Sequence, residues 1–297
     1  MNQSLKGYLY VIFSAILFGC MPLGAKFIYA NGVNALSLVF YRNSLALPLM
    51  ALILFLRKET FIISKKQLRQ AACLSFAGCC ITPILLFSSY DYISSSTATT
   101  FHFVYPAMVI LGNAVLFHEK INYPQLFCVI FCTIGVSFFY VPGEDFSPLG
   151  SMLALLSGVT YAVYIIFLAR SDLKILSGIK LSFYMAFICS LFTFAICLLT
   201  QQLTIPANFL CWLACIVFSS VLCVGAVILF QKGTFLIGGQ KSSILSTFEP
   251  ITSIVIGILI FNEPFNIRAC FGALFIIMST ILIALFDMKS SPLKRKP

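Results

Sequence analysis

The chain has 297 residues, of which 60% are hydrophobic and only 9% charged, and its mean hydropathy is +1.02. A chain of this composition has too little polar surface to cover a water-soluble globule, so the lipid bilayer must be its solvent. The formal charge of +10 comes from Lys and Arg in short loops and the C-terminal tail, where they act as orientation signals during membrane insertion. We therefore expect no nucleic-acid partner.

Apolar runs of about 20 residues alternate with short polar connections along the chain. Continuous runs of this length predict helices, because the strands of a membrane barrel would alternate apolar and polar residues over about ten positions. The first run follows Lys6 without a convincing cleavage site, so we expect it to remain as a helix. The sequence predicts an all-α integral membrane protein with ten transmembrane helices near residues 7–29, 35–56, 68–89, 95–117, 122–141, 149–169, 179–200, 207–230, 241–261 and 266–287.

The twelve cysteines lie almost entirely inside apolar stretches and lack the spacing of a zinc or haem motif. The pairs Cys128/Cys132 and Cys211/Cys215 are one helical turn apart, but no His or carboxylate lies beside them in sequence to complete a metal site. We interpret the cysteines as small packed side chains and expect neither a metal nor another cofactor.

Placing the N-terminus in the cytosol puts most basic residues on the inner side of the membrane, as the positive-inside rule requires. These are Lys6, Arg57, Lys58, Lys65, Lys66, Arg69, Lys120, Arg170, Lys174, Lys180, Lys232, Lys241, Lys289, Lys294, Arg295 and Lys296. Lys26 and Arg268 fall toward the outside, where the loops carry Asp91 and the Glu144-Asp145 pair. We therefore expect a multi-pass protein of a bacterial inner membrane with both termini in the cytosol.

A constant shift of 144 residues lays the fourth predicted span over the ninth. The matched pairs are Pro106/Pro250, Ile110/Ile254, Phe117/Phe261, Glu119/Glu263, Asn122/Asn266, Phe127/Phe271 and Phe131/Phe275. Each half, 1–144 and 145–297, then holds five spans, and an odd number inverts the second half relative to the first. Inverted repeats are the usual geometric basis of alternating access around a central site.

Several of these residues also carry a resemblance to the drug/metabolite transporter superfamily, specifically to its EamA-type ten-helix members. They are Phe18-Gly19, Lys26, Arg42, Tyr105-Pro106, Phe117-His118-Glu119, Phe248-Glu249-Pro250 and Phe261-Asn262-Glu263-Pro264. The resemblance covers nearly the whole chain, although the family often has Trp-Gly where this chain has Phe18-Gly19. It implies a basket of helices around a central cavity. It also implies transport, commonly outward, of amino acids, related metabolites, nucleoside-like compounds or drugs.

Ionisable groups inside a span cost about 2.5–3.5 kcal/mol each on insertion scales, so they face a bundle interior or a wet cavity. Arg42 suits a substrate carboxylate or phosphate, and it is equally well explained as a clamp on helix-end groups or as a snorkelling side chain. Glu249 suits a coupling proton or a substrate ammonium, and the alternative is a permanent contact with a neighbouring helix. Glu119 and Glu263 lie at span ends, each followed within three residues by Asn, and we interpret them as structural residues that cap or anchor the following helix.

Polar side chains recur at helical spacing on the fourth and ninth spans, and we expect these stripes to be cavity walls. Thr99 and His102 belong to the first stripe and Ser246 to the second. Tyr105, the repeat counterpart of the ninth-span carboxylate, is expected to orient the substrate with His102, and Tyr161 to stack on it. Close helix approach or an interhelical hydrogen bond explains these residues without a ligand. The candidate substrate-binding set is Arg42, His102, Tyr105, Glu249, Ser246, Tyr161 and Thr99.

The sequence contains no Ser/His/Asp set, phosphate loop, HExxH helix or nucleotide-binding segment, so we expect no enzyme activity and no use of ATP. It predicts a secondary carrier that exports a small metabolite, such as an amino acid or a drug, with membrane lipid and a coupling proton as further partners. Three alternatives stay open: an importer of a nucleoside-like metabolite, a lipid-linked sugar flippase, and a scaffold without transport. A wet cavity lined by Arg42, His102 and Glu249 would argue against the scaffold.

Overall fold

The computed structural model describes residues 3–93, 95–138, 147–246 and 248–261, together with 267, 268, 271, 272, 274, 275 and 278. Every regular element in this part of the chain is a helix, which confirms the all-α prediction. The predicted tenth span falls largely outside the described residues. Glu263, the Glu144-Asp145 pair, the basic tail and the side chains of Cys128 and Cys132 lie outside them too.

Among the described residues, six helical stretches are long and apolar enough to cross a membrane, and they coincide with six of the ten predicted spans: 3–30, 35–56, 65–89, 148–170, 178–199 and 209–237. The α-helices are α1 (Gln3–Gly19), α2 (Met21–Ala30), α3 (Ala35–Ser44), α4 (Leu47–Leu56), α5 (Lys65–Leu74), α6 (Thr82–Ser89), α7 (Ser95–His102), α8 (Tyr105–Phe117), α9 (Tyr123–Phe138), α10 (Pro148–Arg170), α11 (Gly178–Leu199), α12 (Phe209–Ser219), α13 (Val227–Ile237), α14 (Gly239–Leu245) and α15 (Phe248–Phe261).

Polar residues fix where several spans begin. The capping residues are Asn34, Ser64, Ser147, Ser177 and Asn208. Each of these side chains accepts a hydrogen bond from the backbone N–H three residues further on, which satisfies one of the donors that a helix start leaves unpaired. Such caps are visible in the sequence.

Prolines lie where helices are interrupted within a span. Pro22, Pro48 and Pro106 lie at the starts of α2, α4 and α8, because proline has no N–H to donate and clashes with the preceding turn. The break between α7 and α8 has a counterpart between α14 and α15. The two breaks are 143 residues apart (248 − 105), which is within one residue of the shift that relates the two halves.

Two seven-residue π-helical segments, Ser75–Ile81 and Ser220–Ala226, continue α5 and α12. They lie 145 residues apart (220 − 75), close to the shift that relates the two halves of the sequence. A π-helical turn is wider than an α-helical turn, so it rotates the following residues away from the face that a 3.6-residue period would give them.

The two halves contact each other reciprocally. Helix α1 packs against α13 and α15, and its counterpart α10 packs against α6 and α8, which are the counterparts of α13 and α15. The paired phenylalanines Phe131 and Phe275 stack on each other, with ring centroids 5.8 Å apart. The first span of each half therefore packs against the third and fourth spans of the other half.

Candidate functional site

A cavity of about 40 Å³ lies between the helices of the two halves, which is room for roughly three water molecules. It is lined by Phe18, Met21, Arg42, Gly78, Cys79, Thr82, Pro83, Leu86, His102, Tyr161, Tyr164, Val227, Phe230 and Glu249. Three ionisable side chains that the sequence placed inside spans, Arg42, His102 and Glu249, thus meet around one space. The lining is otherwise aromatic and aliphatic, apart from Thr82 and Cys79.

Arg42 lies in the last turn of α3 and is 6% exposed. Its backbone carbonyl accepts hydrogen bonds from the Ser219 hydroxyl (2.6 Å) and the Cys223 thiol (3.2 Å), so the wall formed by α12 and the second π-helical segment fixes this turn of α3. Its Nε atom has no hydrogen-bond partner among the described residues. A buried guanidinium N–H without a partner is costly, and a ligand oxygen would satisfy it.

Glu249 lies in the first turn of α15 and is 5% exposed. Its carboxylate makes no hydrogen bond or ion pair with any residue that the structure describes. A helix N-terminus favours a negative charge, which is the one compensation that the backbone supplies. The position therefore carries a buried, unpaired carboxylate facing the cavity.

The close approach of α1 to α15 at this point depends on Gly19. A Cβ atom there would lie 2.5 Å from Cβ of Thr252 and 2.8 Å from the carbonyl oxygen of Glu249. The Ser253 hydroxyl donates to the Gly19 carbonyl at 3.0 Å. The Phe18-Gly19 pair thus combines a ring that lines the cavity with a glycine that allows α15 to pack beside it.

Arg42 and Glu249, a guanidinium and a carboxyl group, line the same cavity. No ion pair within 4 Å joins them in the described part of the chain. Taking two charges out of water costs several kcal/mol per ion, and a direct contact would have offset much of that cost. The arrangement leaves both groups able to receive a ligand.

His102 ends α7, and its Nδ1 lies 2.8 Å from the Ser157 hydroxyl of α10. The same hydroxyl donates to the Ala154 carbonyl at 2.6 Å, so its single proton is used there. On this ground we assign Nδ1 as the donor to Ser157, which leaves the lone pair on Nε2. His102 accordingly presents an acceptor for a ligand N–H or a proton.

Aromatic rings form one wall of the cavity. Tyr161 stacks on Tyr164, with centroids 5.6 Å apart, and packs against Phe230 at 5.8 Å. The His102 ring lies 5.4 Å from Tyr161. Gly78 makes room for this wall, because a Cβ atom there would lie 2.5 Å from the Tyr164 ring.

The other predicted site residues lie behind this lining. Tyr105 is fully buried and packs edge-on against Tyr161 at 4.9 Å and beside His102 at 5.3 Å, so it supports both rings. The Thr99 hydroxyl donates to the Ser95 carbonyl of its own helix. The Ser246 hydroxyl likewise donates to the Ser242 carbonyl, four residues before it. Their substrate-binding roles stay predictions.

Gly158→Ala is expected to disturb the site. A Cβ atom at position 158 would lie 2.5 Å from the His102 carbonyl oxygen and 2.8 Å from Cγ1 of Val104, where the backbone between α7 and α8 has little room to yield. We expect a cost of about 1–3 kcal/mol, larger than the gain of about 0.5–1 kcal/mol that alanine brings inside a helix. Thermal unfolding in detergent measures the difference.

Gly225→Ala is the matched control. A Cβ atom there would meet only Cδ1 of Leu17, at 3.2 Å, and that methyl group ends a flexible side chain. We expect an unchanged or higher melting temperature. Equal losses for the two variants would contradict a specific role of Gly158 in holding α10 against the α7–α8 break.

Comparisons with known proteins bear on the family and the fold of this chain. The profile of the EamA-like transporter family matches residues 5–141 and again residues 148–285. An uncharacterized inner membrane transporter of Salmonella typhimurium, YicL, is 24% identical over 96% of this chain and 97% of its own length. An uncharacterized transporter of Bacillus subtilis, YcbK, is 24% identical over 93% of each chain. A crystal structure that is 14% identical shares the fold, with a TM-score of 0.74 over 96% of this chain and 99% of that one.

Proposed function

The chain belongs to the EamA-like transporter family, and from that premise we propose that it is a secondary carrier of a small zwitterionic metabolite such as an amino acid. The observation that carries the proposal is the pair of buried, oppositely charged side chains, Arg42 and Glu249, that line one cavity without bonding to each other. A ligand carboxylate facing Arg42 and a ligand ammonium facing Glu249 would give each group the partner that it lacks. The same lining argues against an inert scaffold.

We propose that Glu249 also takes up the coupling proton when the site is empty, since a neutral carboxyl group costs far less to bury than an unpaired carboxylate. Substrate binding then releases that proton by bringing an ammonium beside the carboxylate. His102, with its Nε2 lone pair, is a second acceptor for the proton on its way through the cavity. The family resemblance favours outward transport.

We propose that the two halves are inverted repeats that rock against each other about the cavity. The double match of the family profile, the repeated helix break and the two π-helical segments support two equivalent halves. The reciprocal packing of α1 and α10 and the Phe131–Phe275 stack support a pseudo-two-fold relation, because equivalent elements then exchange the same contacts. Both termini would lie in the cytosol.

Contacts between the two halves lie at the predicted outer end and at the predicted inner end of the helix bundle. At the predicted outer end, the Tyr41 hydroxyl donates to the Thr204 carbonyl at 3.0 Å, and Asn34 donates to the Gln202 carbonyl at 2.6 Å. At the predicted inner end, Arg170 bonds to Glu119 and, at 3.0 Å, to Asn113. These contacts, with so small a cavity between them, support an occluded resting form whose ends must open in turn.

The inner-end contacts form a network that we call the Glu119 latch, consisting of Glu119, Arg170, Gln240, Gln125 and Asn113. Gln240 donates to Glu119 at 3.0 Å and accepts from Gln125 at 2.6 Å. The Arg170 guanidinium also lies 3.7 Å over the Phe117 ring. The sequence predicts that Glu119 caps or anchors the following helix. In the structure the cap of α9 is Asn122, whose side-chain oxygen accepts from the Gln125 N–H at 2.9 Å, and Glu119 instead contacts Arg170 and Gln240.

Glu119→Ala is expected to favour inner opening. The Arg170–Glu119 pair is partly exposed, so we assign about 1 kcal/mol to the loss, which corresponds to about a fivefold shift in the open population. Cys79 lines the cavity, so its alkylation by a small hydrophilic maleimide, measured by peptide mass spectrometry, should accelerate by that factor. Thr200→Val is the control, because that exposed hydroxyl bonds only to its own helix. An unchanged Cys79 rate in Glu119→Ala would contradict the latch.

A matched set of ligands tests the proposed function. Phenylalanine, phenethylamine and 3-phenylpropionate share one ring and chain but carry both charges, only the ammonium, or only the carboxylate. In protein reconstituted in nanodiscs, we expect the zwitterion to raise the melting temperature most, because a ligand that binds only the folded state stabilises it. An equal effect of all three, or no shift with any of a set of smaller zwitterions, would overturn the zwitterion site.

A further inference from the structure

A second opening lies on the flank of the protein, between the α1–α2 bend and α12 with the π-helical segment that follows it. This crevice has a volume of about 380 Å³, and every residue of its lining has an aliphatic, aromatic, thiol or thioether side chain or none. Its walls include Leu17, Leu23 and Phe27 on one side and Val217 and Val221 on the other. Both walls belong to stretches that can cross a membrane, so the crevice opens toward lipid.

The local sequence explains why the crevice is there. Helix α1 ends at Gly19 and α2 restarts at Met21, with Pro22 preventing a continuous helix. Beyond the bend, Gly24 lets the Phe218 ring pack against α2, since a Cβ atom there would lie 2.5 Å from that ring. The two stretches therefore touch at Gly24 and separate around it, which leaves an apolar space between them.

Met21 is the residue that lines both spaces. Phe18, one turn before it, faces the central cavity, whereas Leu17 and Cys20 face the crevice. Met21 is 6% exposed, and its unbranched side chain can adopt several shapes at little cost. The adaptable side chain of Met21 thus lies between the central cavity, which Arg42 and Glu249 line, and the crevice, whose lining has no charged side chain.

We propose that the crevice holds the hydrocarbon chain of an amphipathic ligand whose zwitterionic head lies in the central cavity, with Met21 as the gate between them. The proposal rests on the proposed function, because it takes the head group from the Arg42–Glu249 pair. The crevice lining offers a head group no charged partner, and an apolar space of this kind is filled by hydrocarbon rather than by water. Specificity then includes chain length as well as head-group charge.

The test is a series of 2-amino acids with unbranched alkyl side chains of two to ten carbons, titrated against the protein in nanodiscs. Each methylene that enters the crevice should lower the Kd about fourfold. Ala214→Trp, which fills the crevice without touching the cavity, should abolish this dependence and leave the shortest ligands unaffected. Ala214→Leu is a milder filling that should flatten the dependence in part, and it serves if Ala214→Trp does not accumulate.

Val163→Trp is the matched control for partitioning of long chains into lipid. Val163 is 39% exposed on α10, outside both openings, and its variant should behave like the unmodified protein. A Kd that is constant along the series overturns the inference and leaves the zwitterion site standing. A chain-length dependence that persists in Ala214→Trp also overturns it, because the chain would then lie elsewhere. No binding at any chain length overturns both proposals.

Discussion

Glu249→Gln is expected to reduce zwitterion binding about 10- to 150-fold and to abolish the pH dependence of transport. The variant keeps the shape of the side chain but cannot pair with a ligand ammonium, and a hydrogen bond to a charged group is worth about 1.5–3 kcal/mol. It also cannot exchange a proton. Transport into proteoliposomes across a pH series and ligand titration of the purified protein measure the two effects separately.

The stability of Glu249→Gln distinguishes a binding role from a structural one. Glu249 makes no hydrogen bond or ion pair with the described residues, so there is no direct contact to lose. Because the proposal has this side chain protonated when the site is empty, the substitution replaces one neutral polar group by another. We expect the free energy of unfolding to change by less than about 1 kcal/mol. Breaking a direct buried ion pair would cost about 3–5 kcal/mol, so a loss of that size would contradict the binding role.

Asp172→Asn is the control for the loss of a carboxylate as such. Asp172 lies beyond the end of α10 with an exposed side chain, and its hydrogen bond from Lys66 at 2.5 Å keeps the pKa of its carboxyl below the usual value. The stability that this Lys66–Asp172 contact contributes is therefore lost as the pH falls through that lowered pKa. Near neutral pH we expect transport and its pH dependence to be unchanged. A loss equal to that of Glu249→Gln would mean that the effect is not specific to the cavity.

Six of the predicted spans match long apolar helices in the described residues, and they were predictable because the bilayer imposes a length on an apolar run. Arg42, His102 and Glu249 were predictable as a group for a related reason: the cost of an ionisable side chain inside a span leaves the bundle interior as its place. Periodicity was less informative for Thr99 and Ser246. A hydroxyl that donates to a carbonyl of its own helix is satisfied on any face of that helix, so its spacing does not show which face lines the cavity.

Other lining residues were beyond the reach of the sequence pattern. Gly78 and Cys79 lie in a π-helical segment, where the 3.6-residue period no longer assigns a face. Phe230 follows the second such segment, and Phe18 differs little in sequence from many other phenylalanines of this chain. Thr82-Pro83 was the sequence signal for this part of the lining, because a proline inside an apolar run marks an interruption of the helix. The glycine contacts, such as that of Gly158 with the His102 carbonyl, require knowing which helix is the neighbour.

Arg42→Gln is expected to remove the preference for ligands that carry a carboxylate. The guanidinium is a planar fork that matches a carboxylate with two N–H donors, so its loss should weaken zwitterion binding about 30- to 150-fold. Arg42→Lys keeps the charge but not the fork, and we expect a smaller loss of about tenfold. The matched amine, which does not use Arg42, should bind all three proteins about equally.

The pattern of affinities across the three ligands distinguishes two models. In one, Arg42 and Glu249 bind different groups of the same substrate, and in the other they act together as one ion pair. If Arg42 reads the carboxylate and Glu249 reads the ammonium, Arg42→Gln should abolish binding of the acid and spare the amine, and Glu249→Gln should do the reverse. Such crossed losses require a ligand that spans the cavity between the two groups. If both variants instead lost both ligands to the same extent, Arg42 and Glu249 would be acting as one unit, and the zwitterion site would be wrong.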